Sequence, residues 1–210
     1  MADAPGPAPT AEIRILALGD SYTIGEGVAD ADRWPERLAA TLRAGGSNVR
    51  APKIIARTGW TTDELSRAID EAKPDSNYDL VTLLIGVNNQ YRGRGEAEYR
   101  AEFRVLLGRA IAFARGKESH VLVVSIPDWG ATPFATGRDR EAIGREIDRF
   151  NAVNREEATR VGARYADITL PSRRVAKDPS LAAGDGLHPS AKMYASWIDI
   201  ILPIVQRILP

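Results

Sequence analysis

Five short apolar runs alternate along this chain with longer stretches of helical periodicity, and that alternation is what most limits its fold. The runs are Ile13 to Leu18, Lys53 to Ala56, Leu80 to Ile85, Val121 to Ile126 and Arg164 to Ile168. The helical stretches are Trp34 to Leu42, Thr62 to Ala72, Glu96 to Ala114, Arg140 to Val161 and Ala191 to Leu209. Strand, helix and strand repeated in this way make βαβ units, whose parallel strands are apolar because helices cover both faces of the sheet. The expected fold is therefore α/β, a three-layer α/β/α sandwich on a parallel sheet of about five strands. Thr61 followed by Glu64 has the form of a capping box, which fixes Arg57 to Trp60 as a strand-to-helix turn.

With 210 residues the chain suits one domain, able to bury on the order of 70% of its unfolded surface. We read residues 1–11, rich in Ala and Pro, as a flexible tail and residues 12–210 as that domain. The tail has neither the basic start nor the apolar core of a signal peptide, so the chain as given reads as cytoplasmic, or as periplasmic or secreted if a signal was trimmed. Basic and acidic side chains number 28 each, so no basic field exists to attract nucleic acid or anionic lipid. Tyr194 to Leu209, interrupted by Asp199, Pro203 and Gln206, is too short to span a bilayer. It reads as an amphipathic closing helix with Trp197, Ile201, Ile204 and Ile208 on one side. The absence of cysteine excludes disulfides, thiolate metal sites and a cysteine nucleophile.

Ligands of open parallel sheets bind beyond the carboxyl ends of the strands, and this chain places its chemistry there. Ser21 follows the first run, Gly59 and Trp60 the second, Asn88 and Asn89 the third, Asp128 and Trp129 the fourth. Gly19-Asp20-Ser21-Tyr22 offers a hydroxyl, and Asp185-Gly186-Leu187-His188-Pro189 offers a base with a carboxylate three residues before it. A serine hydroxyl needs a neighbouring imidazole to take its proton as it attacks. His120 precedes its run, which puts it at the opposite edge of the sheet, roughly 20 Å away at 3.3 Å per residue, and leaves His188 as the base. Two histidines at opposite edges make no zinc site, and we expect no metal and no cofactor.

These residues resemble the GDSL-type or SGNH hydrolases, serine esterases and acyl hydrolases on a flavodoxin-like fold. The resemblance runs from Gly19-Asp20-Ser21-Tyr22 through Gly59 and Gly86-Val87-Asn88-Asn89 to Asp185 and His188. It implies Ser21 as nucleophile, His188 as general base and Asp185 as its orienter, with an oxyanion hole made of the Ser21 and Gly59 N–H groups and the Asn88 amide. Neutral donors of this kind stabilise a developing oxyanion without burying a further charge. Tyr22 stands where the family usually has Leu, and Asn89 where it usually has Asp. The implied substrate is a small-molecule carboxylic ester or thioester of a small or medium acyl group, as for arylesterases and lysophospholipases.

Taken singly, each residue also has a plainer explanation. Gly-Asp-Ser favours turns, Asp185 could cap the last helix, and Gly59 could be an ordinary turn glycine. Trp60, Trp129 and Tyr91, with Phe134, fall in loops at the active edge and are candidates to touch substrate. Arg92, Arg94, Arg100 and Arg104 could meet an anionic substrate group, although a solvated face explains them better. The rival functions are an acyltransferase or a deacetylase acting on an acylated sugar with the same triad, a non-catalytic binding module, and a phosphate binder. Against the last, the chain has neither a P-loop nor a Gly-x-Gly-x-x-Gly motif. An ordinary α/β-hydrolase is disfavoured by the lack of a Gly-x-Ser-x-Gly elbow.

Overall fold

A computed structural model describes residues 12–209. Its centre is one five-stranded sheet, made of β1 (Ile15–Gly19), β2 (Lys53–Ala56), β3 (Leu80–Leu84), β4 (Val121–Val124) and β5 (Arg164–Ala166). All pairings are parallel and the spatial order is β2-β1-β3-β4-β5. Every residue of β1, β3 and β4 is buried, which is why these runs are continuously apolar rather than alternating. β1 and β3 are in register from Ile15 opposite Leu80 to Gly19 opposite Leu84.

The five long helices are those the sequence suggests: α2 (Trp34–Ala44), α3 (Thr62–Ala72), α5 (Glu96–Phe113), α6 (Arg140–Val161) and α8 (Ala191–Val205). α2 packs on α8, while α3 and α6 both pack on α5, giving one helical layer on each face of the sheet. The cap of α3 uses Glu64, whose carboxylate accepts from the Thr61 N–H at 2.9 Å. Three short helices, α1 (Ser21–Ile24), α4 (Val87–Tyr91) and α7 (Thr169–Ser172), follow β1, β3 and β5 directly.

The closing helix is rotated from the expected face. Trp197 and Ile201 are fully buried, but Tyr194, Ile198 and Val205 complete the buried stripe, while Ile204 and Ile208 are only partly buried. The stripe therefore runs i, i+3, i+4, i+7 and i+11 from Tyr194. The helix also ends at Val205 rather than Leu209, two residues beyond the internal Pro203. No helix among the described residues is long and apolar enough to cross a membrane. The tail expected over residues 1–11 lies outside the described residues.

Candidate active site

In a sheet ordered 2-1-3-4-5 the crevice opens where the chain reverses direction, between the carboxyl ends of β1 and β3. Ser21 stands two residues after the end of β1 and opens α1, and Asn88 sits in α4 just beyond β3. The turn at Ser21 is held by Asp20, whose carboxylate accepts from the Tyr22 N–H at 3.0 Å. Gly59, after β2, has φ +87°, a conformation that a side chain would strain. The Ser21 and Gly59 N–H groups have no acceptor among the described residues. The Asn88 amide donates to the Trp60 carbonyl at 2.9 Å, which leaves its second N–H to point elsewhere.

His188 arrives from the far end of the chain, on the turn before α8. Its Nδ1 lies 2.5 Å from Asp185 Oδ2. The other carboxylate oxygen accepts from the Leu187 and His188 N–H groups at 2.9 and 3.0 Å. A carboxylate only accepts, so Nδ1 carries the proton and Nε2 is the free ring nitrogen. Burial works against the Asp185 carboxylate, yet the bonds from the His188 ring and the two N–H groups outweigh it and hold its pKa below the ordinary value. His188 is 7% exposed, and its imidazole lies against the buried Tyr22 ring, with centroids 5.6 Å apart. Burial, and then the charges of Asp20, Asp128 and Asp185, push the Tyr22 phenol far above its ordinary range, so it stays neutral.

Ser21, Gly59, Asn88 and His188 all line one cavity of about 230 Å³. No hydrogen bond joins Ser21 to His188 among the described residues. Tyr91, Trp129 and Phe134 line the same cavity and adjoin one another as an aromatic wall. Trp60 does not reach the cavity; its ring packs against the hydrophobic core, and what it contributes here is the carbonyl that holds Asn88. His120 stands just before β4 at the other edge, bonded through Nδ1 to the Asp79 carbonyl at 2.8 Å.

Asn89, where the family usually has Asp, is fully buried and bridges α4 to the start of α3. Its Oδ1 accepts from the Thr62 N–H at 3.1 Å and its Nδ2 donates to the Thr62 hydroxyl at 2.6 Å. An amide both donates and accepts here, which an ionised carboxylate does not. The basic cluster is engaged with acids: Arg92 with Glu64 at 3.3 Å, Arg94 with Asp63 at 2.7 Å, and Arg100 and Arg104 with Glu157 at 3.0 and 2.8 Å. Among the described residues no group of three histidine or carboxylate side chains is placed to hold a metal.

Sequence reasoning missed the cation nearest the aromatic wall, Arg138. Its guanidinium carbon lies 5.5, 5.4 and 5.3 Å from the ring centres of Tyr91, Trp129 and Phe134. The available signal was proximity, since Phe134 and Arg138 share the loop after Trp129. That loop is tied to the Asp185–His188 turn by a bond from the Phe134 N–H to the Gly186 carbonyl at 3.0 Å.

A model of the GDSL-like lipase/acylhydrolase family matches residues 17–195. A member of the lipolytic G-D-S-L family from Veillonella parvula superposes with TM-score 0.73 at 18% identity, over 94% of this chain and 100% of that one. A lipase/acylhydrolase from Enterococcus faecalis gives 0.70 at 19%, over 94% and 97%. An acetylxylan esterase from Geobacillus stearothermophilus gives 0.68 at 19%, over 93% of each chain. A search of curated protein sequences returns no match.

Proposed function

The chain belongs to the GDSL-like lipase/acylhydrolase family and is a carboxylic ester hydrolase, and we propose that it cleaves esters of small to medium acyl groups through an acyl-enzyme on Ser21. In this reading His188 Nε2 takes the hydroxyl proton as Ser21 Oγ attacks the ester carbonyl. Asp185 fixes the tautomer and stabilises the imidazolium that forms. The Ser21 N–H, the Gly59 N–H and the free N–H of Asn88 receive the oxyanion of the tetrahedral intermediate. Collapse expels the alcohol, which takes its proton from His188. Water, deprotonated by the same nitrogen, then attacks the acyl-enzyme and releases the acid.

The observation that carries the reading is the His188–Asp185 pair at 2.5 Å, which leaves Nε2 free on the cavity that Ser21 lines. The cavity, about 230 Å³, lies below the roughly 300–1,000 Å³ of drug-sized sites, and this favours a short acyl group over a long chain. The test is covalent trapping. A p-nitrophenyl alkylphosphonate should add one phosphonyl mass to the protein, mapped by peptide sequencing to Ser21, and Ser21→Ala should neither label nor turn over p-nitrophenyl acetate. The substitution should change stability by no more than about 0.5 kcal/mol, since the hydroxyl has no partner to lose. Labelling at another residue, or turnover by Ser21→Ala, removes the nucleophile assignment.

A further inference from the structure

Arg138 differs from the four arginines of the basic cluster in having nothing acidic to pair with. Arg92, Arg94, Arg100 and Arg104 each meet a carboxylate, whereas Arg138 makes no ion pair among the described residues. The neighbouring Asp139 is spent on the cap of α6, accepting from the Ala142 N–H at 2.9 Å. Glu26 is bonded by the Thr58 hydroxyl.

The guanidinium instead rests on aromatic rings. Tyr91 and Trp129 meet edge to face with centroids 5.3 Å apart, Trp129 and Phe134 at 6.1 Å, and Arg138 sits near all three. A guanidinium held near aromatic rings rather than by a carboxylate keeps most of its N–H groups available, and these match the two oxygens of a carboxylate or phosphate. Only Nη2 has a protein partner, the Tyr91 hydroxyl at 3.3 Å. The wall is itself fixed, because Trp129 donates to Gln90 at 2.8 Å and Gln90 to Glu146 at 2.7 Å. An exposed, unpaired cation thus sits beside three rings that line the cavity Ser21 and His188 share.

We propose that Arg138 selects esters that carry an anionic group, carboxylate or phosphate, at the aromatic end of the cavity. This rests on the reading of that cavity as the ester site. The anionic group can belong to the acyl chain or to the alcohol, and the two are separable with matched substrates. One pair compares the p-nitrophenyl esters of butyrate and of glutarate, the second of which has a free carboxylate on the acyl chain. The other compares phenyl acetate with 3-carboxyphenyl acetate, which places the charge on the leaving group.

The expected result is that wild type prefers the anionic member of at least one pair in kcat/KM. Arg138→Gln should lower that anionic-to-neutral ratio by about tenfold or more, mainly through KM, the size expected for losing a charged hydrogen bond. Arg138→Glu should lower it further, and raising salt should shrink the wild-type preference because the pair is exposed. Thermal melts of the variants report whether they fold, and the wild-type preference stands as a test without them. If wild type hydrolyses the neutral esters but favours neither anionic partner, or if Arg138→Gln leaves the ratio unchanged, the proposal is overturned while the ester site survives. If wild type hydrolyses none of the four and Ser21 does not label, the ester site itself falls, and the proposal with it.

Discussion

Asp185 touches His188 in two ways, through one oxygen on the ring nitrogen and through the other on the N–H groups of its own turn. The turn aims the carboxylate before any substrate arrives. Asp185→Asn keeps the shape and one acceptor, but an amide N–H facing Nδ1 favours the tautomer that protonates Nε2 and abolishes its basicity. We expect kcat to fall by about 10⁴, as when the same change is made in a serine protease triad, with the protein still folded; a loss under tenfold in a p-nitrophenyl acetate assay would count against the triad. Asn88 is held by a single bond to the Trp60 carbonyl. Asn88→Ala should therefore lower kcat by about 10² to 10³ with little change in KM, because in the proposed mechanism the missing donor serves the transition state. A raised KM at unchanged kcat would make Asn88 a substrate contact instead.

At the scale of elements, the site depends on helices of four and five residues that start directly off β1 and β3. α4 is capped by Gly86, which has φ +127°, and a Cβ there would stand 2.7 Å from Tyr99 Cζ. The ring cannot retreat, because its hydroxyl is bonded to the Ile85 carbonyl at 3.0 Å and to Asn154 at 2.6 Å. Gly86→Ala should therefore destabilise the protein by about 2 to 4 kcal/mol from overpacking and backbone strain together, and should lower kcat by shifting Asn88; an unchanged denaturation midpoint would contradict this. The long elements were legible because their periodicity extends over many residues. α1 and α4 were not: Ser-Tyr-Thr-Ile and Val-Asn-Asn-Gln-Tyr are too short to show a period, and several of their residues also favour turns. Ile126 read as strand because it is apolar. Its N–H and C=O bond instead to the side chain of Asn151 on α6, which replaces a neighbouring strand. Ser21, Gly59, Asn88, Asp185 and His188 could be singled out because each follows a readable strand or sits in a short motif. Arg138 could not, since its meaning comes from three rings that only the folded loop assembles.

For the molecule as a whole, two buried carboxyl groups make stability respond to pH in opposite directions. Glu157 on α6 meets Arg104, Arg100 and Arg160 at 2.8, 3.0 and 2.8 Å and so joins α5 to α6. The bond from Arg104, helped by Arg160 and Arg100 against the opposing effect of burial, lowers its pKa from 4.5 to about 2. Its stabilisation is therefore complete above pH 4.5 and is lost as pH falls toward 2. Asp20 is the reverse case. Burial, opposed only by bonds from backbone N–H groups, raises its pKa from 3.8 to about 7, and its Oδ2 has no partner. The folded state then binds more protons than the unfolded chain between those values, so this group lowers stability progressively as pH rises from 3.8 to about 7. Chemical denaturation from pH 3 to pH 8 separates the two. Glu157→Gln should lose about 2 to 3 kcal/mol at pH 7 and progressively less below pH 4, because the half-exposed arginines return to water while the charged clamp is gone. Asp20→Asn, which keeps an acceptor for the Tyr22 N–H, should gain on wild type as pH rises toward 7 and show no advantage at pH 3. Parallel curves for both variants and wild type across that range would mean that neither carboxyl titrates as its surroundings dictate.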